Sequence, residues 1–310
     1  MLGGTGLLHS ARVLKLMASK QPFFILCPLR SFSSVVCTML GQHPDMYGFP
    51  ELNLFIADTL GGVMNIHRLR PHGAHGLYRT LAQLHDGEQT EASVSRAIEW
   101  VEQRRSWSSK QVLDYILDWI VPRIGVDKSP RTVMKPEYLR RMHATYPDAN
   151  YLHLVRHPRS TAISTKELLK RNDEWEGLFD ADWVDPERVW LRTHKNVVDF
   201  AATLPEGQCM RIKGEDLLSD PHLYLPQIAE WLGIRTDRET IEAMLHPEQS
   251  PYACFGPENA KYGNDPNFLG KPAFRGGRIK EPSLEGDLDW APGQQFSKPV
   301  LKLAREFGYS

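Results

Sequence analysis

Apolar positions along the chain follow two rhythms. Compact apolar runs suited to buried strands occur at FFILC (23–27), between Pro22 and Pro28, at YLHLV (151–155) and at CMRIK (209–213). From Ser33 to Leu40, Val35, Val36, Met39 and Leu40 recur at helical spacing, and the pattern stops at Gly41. Further helices are predicted at about 91–104, 109–121, 137–145, 159–171, 186–203, 221–232 and 296–307. Strands alternating with helices predict an α/β fold, a parallel β-sheet flanked by helices on both faces. Two stretches break the rhythm. Residues 61–90 hold His67, His72, His75 and His85 among several glycines, and residues 247–295 are rich in Gly, Pro and Asn. Neither resembles a linker between separate cores, so one domain spanning 1–310 is expected, with 1–20 as a short lead-in.

Composition narrows the class. The 310 residues are 41% hydrophobic, enough for a sizeable core and too many for a disordered chain. Lys and Arg total 37 against 38 Asp and Glu, a formal charge of -1, which argues against nucleic acid held by broad phosphate neutralisation. Local basic pockets remain open, because net charge does not report clustering. The four cysteines, Cys27, Cys37, Cys209 and Cys254, form no C-x-x-C pair, so reduced thiols in a cytoplasmic protein are expected. No apolar run reaches 18 residues and the N-terminus lacks the apolar centre of a secretory signal, so no membrane partner is expected.

Two segments carry anion-binding equipment. I-L-C-P-L-R-S-F-S-S-V-V (25–36) reads strand, loop, helix. Helix-start N–H groups favour an anion there, Arg30 adds a planar fork of donors, and Ser31, Ser33 and Ser34 add hydroxyls. No Walker A pattern is present, since G-x-x-x-x-G-K-[ST] is absent. The second segment, L-H-L-V-R-H-P-R-S-T-A-I-S (152–164), sets Arg156 at the carboxyl end of a strand and Ser164 about one and a half helical turns beyond Pro158. An Arg and a Ser converging at a strand's carboxyl edge form a second anion site, where open α/β sheets bind ligands. The bland alternative for each is a serine-capped helix and a surface arginine.

Together, P-L-R-S-F-S-S-V (28–35) and L-V-R-H-P-R-S-T-A-I-S (154–164) resemble the two nucleotide signatures of sulfotransferases that use 3′-phosphoadenosine 5′-phosphosulfate, PAPS. H-P-D-M-Y-G-F-P-E-L-N-L-F (43–55), V-D-K-S-P (126–130) and R-I-K-G-E-D-L-L-S-D-P (211–221) resemble three further family segments in the same order, so the resemblance runs over roughly 22–235 and is nearest the bacterial and tyrosylprotein-like branch. It implies the P-loop-like sulfotransferase fold, with 56–121 as a helical acceptor-side insert and 247–295 as a loop-rich lid. It also implies PAPS as co-substrate, with the 5′-phosphosulfate gripped at Arg30, Ser31, Phe32, Ser33 and Ser34 and the 3′-phosphate at Arg156 and Ser164. F-R-G-G-R-I (274–279) is a loose echo of the loop that closes on the 3′-phosphate, which adds Arg275 and Arg278. Two positions depart from the family. Phe32 stands where glycine is usual, so a positive φ there would carry a steric cost, and Gly214 stands where a tyrosine is usual.

Sulfuryl transfer moves a neutral SO₃ unit in line to an acceptor hydroxyl, which must lose a proton while charge on the leaving oxygen is stabilised. No metal is intrinsically needed, and none is expected. The resemblance implies Glu51 as the base and Lys128, shared with Arg30, as the cation at the leaving oxygen. A histidine in 61–90, His67 first, is the alternative base. Zinc at His67, His72 and His75 matches no common ligand spacing. Asp127 is expected to orient backbone or Lys128, His153 to be a satisfied sheet residue, and Trp100, Trp107, Trp119, Trp183 and Trp190 to pack helices. The acceptor implied is a small-molecule or carrier-bound hydroxyl. Two other readings compete: a non-catalytic nucleotide-binding module of the same fold, and a P-loop kinase, which the missing Walker lysine disfavours.

Overall fold

A computed structural model describes residues 21–171 and 185–310. The expected lead-in 1–20 and Trp183 lie outside the described residues. Five parallel strands form one sheet in the order β2-β3-β1-β4-β5: β1 Phe23–Leu26, β2 Met46–Gly48, β3 Ile124–Asp127, β4 Asn150–Val155 and β5 Cys209–Lys213. The α/β reading holds, with helices on both faces. The apolar run of β1 divides by alternation. Phe24 and Leu26 enter one core with Phe49, Tyr151 and the helices of 60–118, whereas Phe23 and Ile25 enter another with Val36, Met39, Leu152 and Leu225. A third cluster joins Val155 and Trp190 to Phe307 and Tyr309 near the carboxyl terminus.

β2 and β3 have no counterpart among the strand-like runs of the sequence. They are three and four residues long, and each carries a glycine. Gly125 is required in β3 because a Cβ there would sit 2.5 Å from Leu117 Cδ2 and 2.7 Å from Phe49 Cε2. The irregular stretch 61–90 is also more ordered than its composition implies, since it contains helices Leu60–His67 and His75–Asp86. The predicted helices all form, within a few residues of their expected ends, as Glu91–Glu102, Ser109–Asp118, Pro136–Thr145, Pro158–Arg171, Pro186–Ala201, Pro221–Leu232 and Lys298–Glu306.

The strand order locates the ligand crevice. The connection leaving β1 runs to β2 on one side of the sheet, and that leaving β4 runs to β5 on the other. The connections after adjacent β1 and β4 therefore diverge at the strands' carboxyl ends, the position where open parallel sheets accept ligands. Arg30 follows β1 and Arg156 follows β4.

Candidate active site

The turn after β1 is wound tightly. Arg30 and Phe32 both adopt positive φ, 66° and 64°, at a cost of about 1–2 kcal/mol each for residues with a Cβ. Phe32 is the N-cap of helix Ser33–Leu40 and offers no capping side-chain bond, so the first N–H groups of that helix are left to another acceptor. Arg30 Nε donates to Ser164 Oγ at 3.0 Å, and Arg156 Nη1 donates to the Arg30 carbonyl. The two segments, 126 residues apart, are thus stitched together. Both line one cavity with Ser31, Phe32, Ser33, Ser34 and Arg275. Arg278 is exposed and lies outside that lining. Among the described residues, the buried Ser31 Oγ and Arg156 Nε have no hydrogen-bond partner. Buried polar atoms are normally paired, so these two fit a site for a polar ligand.

Arg156 is held from behind as well. Trp190 Nε1 donates to its carbonyl at 2.9 Å, and its guanidinium lies 4.1 Å from the centre of the Phe32 ring. Burial lowers the Arg156 pKa to about 10, which leaves the cation intact at neutral pH. Glu215, buried and raised in pKa by that burial, accepts from the His157 N–H and the Tyr309 hydroxyl.

A second group converges across the same loop. Lys128, at the end of β3, has a fully buried side chain whose Nζ donates to Ser34 Oγ at 2.9 Å and to Glu51 Oε1 at 2.8 Å. The Glu51 segment is pinned from three sides. Its N–H donates to the Gly263 carbonyl, the Leu52 N–H reaches Asp127 Oδ1, and the Asn53 N–H reaches Ser129 Oγ. Asp127 thus orients backbone, and burial lifts its carboxyl pKa to about 7. Gly76 allows the close pass, because a Cβ there would lie 2.1 Å from the Glu51 carbonyl. Glu51 keeps 24% of its side chain exposed and lines a second cavity with Arg70, His72, Arg131 and Tyr262. Arg30, Ser33, Ser34 and Asp265 border both cavities.

His67 is placed elsewhere. It is buried with no ring hydrogen bond among the described residues, lines a separate cavity with His75 and Tyr78, and is driven by burial to a pKa of about 3. The histidine beside Glu51 is His72. His153 sits in β4 and shares a 2.9 Å hydrogen bond with His194. Asp265 escaped the sequence reading altogether. Its carboxylate pairs with Arg30, and its N–H donates to Ser34 Oγ. The local signal was the N-D-P-N turn at 264–267, where Asp265 caps a short helix, but that signal says nothing of a contact 235 residues away. Among the described residues no cluster of three or more His, Cys, Asp or Glu is disposed to hold a metal, and no helix is long and apolar enough to cross a membrane.

The site has the groups to hold two anions about one loop, with a carboxylate and an ammonium on the far side of the Arg30 and Ser34 end from Arg156. Comparison with known proteins agrees with that equipment. The model of the sulfotransferase family matches residues 22–238. Protein-tyrosine sulfotransferase A of Caenorhabditis elegans is 24% identical over 228 residues, which cover 65% of this chain and 54% of the relative, so the chain spans about half the length of the curated relative it matches. Among solved structures, the sulfotransferase domain from the curacin biosynthetic pathway is 25% identical with a TM-score of 0.75, covering 94% of this chain and 98% of that one. The sulfotransferase domain from the olefin synthase of Synechococcus PCC 7002 is 26% identical with a TM-score of 0.72, covering 94% and 95%.

Proposed function

The chain belongs to the sulfotransferase family, and we propose that it moves a sulfuryl group from PAPS to a hydroxyl of a small-molecule or carrier-bound acceptor. The observation that carries this reading is the continuous polar line from Arg156 through Arg30, Asp265 and Ser34 to Lys128 and Glu51. Such a line matches a donor with a 3′-phosphate at one end and, beyond its 5′-phosphate, the transferable sulfuryl group at the other. PAPS, when bound, supplies the activated sulfuryl group and a phosphate that leaves as a stabilised anion.

In this reading Arg156 and Ser164 hold the 3′-phosphate, and Arg30 with Ser33 and Ser34 holds the 5′-phosphate side. Arg275, on the same cavity wall, closes over the donor. Lys128, fixed by Ser34, places a compact cation at the bridging oxygen as it gains charge. Glu51 takes the acceptor proton at the carboxylate oxygen not bonded to Lys128. Geometry favours Glu51 over His67, because His67 neither borders this cavity nor keeps useful basicity at a pKa of about 3. The likeness to a sulfotransferase domain from a biosynthetic pathway and to one from an olefin synthase, over 94% of this chain, supports an acceptor that is a biosynthetic intermediate.

Thermal stabilisation by adenosine 3′,5′-bisphosphate but not by ATP is the expected result, followed by sulfate transfer in a mass-spectrometric screen of hydroxylated acceptors. Stabilisation by ATP alone would replace this reading with a kinase. Bisphosphate binding without transfer to any acceptor would favour the non-catalytic module.

A further inference from the structure

Two unusual positions of the chain meet at one point. Phe32 holds a left-handed conformation that favours glycine, so the loop bears a strain that glycine alone would relieve. Gly214 opens the helix after β5, and a Cβ built on it would lie 2.6 Å from Phe32 Cδ2. The Phe32 ring therefore fills the volume any side chain at 214 would need. The same ring lies against the Arg156 guanidinium, 4.1 Å from ring centre to Cζ. Arg156 has few other restraints at its tip, a single Nη1 bond to the Arg30 carbonyl and a buried Nε without a partner among the described residues.

An aromatic face attracts a cation, and the attraction strengthens as the pair is withdrawn from water; here both residues are half-buried. Contact with a rigid ring also restricts a side chain that otherwise samples many rotamers, so less freedom is lost when an anion arrives. We propose that Phe32 is the positioning residue of Arg156, its ring admitted by Gly214 and holding the guanidinium in the pose that receives the second phosphate of a doubly phosphorylated adenosine. The proposal rests on the reading of Arg156 as a ligand of that phosphate. Its distinctive consequence is that positions 32 and 214 act as one unit.

The test compares two probes on the full chain by calorimetry, adenosine 3′,5′-bisphosphate and adenosine 5′-monophosphate. The ratio of their dissociation constants isolates the second phosphate and cancels general damage to the loop. Phe32→Ala is expected to lower the preference for the bisphosphate about tenfold, equivalent to about 1.4 kcal/mol. Phe32→Tyr keeps the preference. Gly214→Ala lowers it as Phe32→Ala does, and combining the two costs nothing further. Independent, multiplying effects of the two substitutions would overturn the proposal, as would an unchanged ratio in Phe32→Ala while Arg156→Ala abolishes the preference. An unchanged ratio in Arg156→Ala would instead overturn the underlying assignment of Arg156, and the proposal with it. Gly214→Ala that melts below the assay temperature is replaced by Gly214→Ser in the Phe32→Ala background, which is expected to fold and bind as Phe32→Ala alone does.

Discussion

Replacing Glu51 by glutamine separates chemistry from architecture. The amide keeps the shape of the side chain, and its oxygen can still accept from Lys128 Nζ, now 2.8 Å from Glu51 Oε1. What disappears is the negative charge and the capacity to take a proton. A positioned general base contributes about 10²–10⁴-fold in rate, so turnover is expected to fall by about that factor, equivalent to about 3–5 kcal/mol of barrier. The structural loss is smaller. Stripping one partner from a fully buried ion pair costs about 3–5 kcal/mol, but Glu51 is 24% exposed and the amide preserves the hydrogen bond, so about 1–2 kcal/mol is expected. Against a typical stability of about 5–15 kcal/mol, that leaves the protein folded at 25 °C, and unfolding cannot mimic a hundredfold loss. The assay is single-turnover sulfate transfer to a hydroxyl compound that the wild type sulfates, beside calorimetry with adenosine 3′,5′-bisphosphate. Turnover within tenfold of wild type, at unchanged nucleotide affinity, would refute the assignment of Glu51 as base.

Three further outcomes follow from the same geometry. His67→Ala should slow turnover by less than Glu51→Gln, because His67 faces another cavity, and the reversed order in steady-state rates would move the base to a histidine. Asp265→Asn should tighten adenosine 3′,5′-bisphosphate binding several-fold in a titration, since the Arg30 guanidinium no longer has a carboxylate competing with the ligand, and weaker binding would contradict this. Acid should destabilise the fold. Burial drives His67 and His194 to about 3 and His75 and His157 to about 4, so between those values and pH 6.5 the unfolded chain binds protons there that the folded chain does not. Asp127, raised to about 7, opposes this by one proton, which leaves a net uptake of about two or more on unfolding near pH 5.5. The melting temperature should therefore fall as pH drops from 7 to 5.5, and a flat profile would contradict the buried neutral histidines.

Much of this was legible in the chain because it lies in local runs. The strand FFIL, the serine-rich turn and the Arg156 segment each carry their signal within a dozen residues, and the structure sets them at adjoining strand ends. The strands Met46–Gly48 and Ile124–Asp127 are too short and too rich in glycine to show a period, and their pairing to neighbours defines them. Helix His75–Asp86 was hidden by histidines and glycines whose roles are tertiary, Gly76 under the Glu51 carbonyl and the His75 ring stacked on Tyr262. The contact of Asp265 with Arg30 and the fit of Phe32 over Gly214 join residues about two hundred positions apart, beyond the reach of any local pattern. Phe32 shows the general point, since the steric cost of its positive φ was foreseeable but the partner that accommodates its ring was not.

The most direct test of the central claim is a crystal structure of the chain with adenosine 3′,5′-bisphosphate. The expected electron density places the 5′-phosphate against Arg30, Ser33 and Ser34, with Asp265 displaced from the guanidinium, and the 3′-phosphate against Arg156 and Ser164. A nucleotide bound away from either arginine, or one that leaves the Arg30–Asp265 pair intact, would contradict the account.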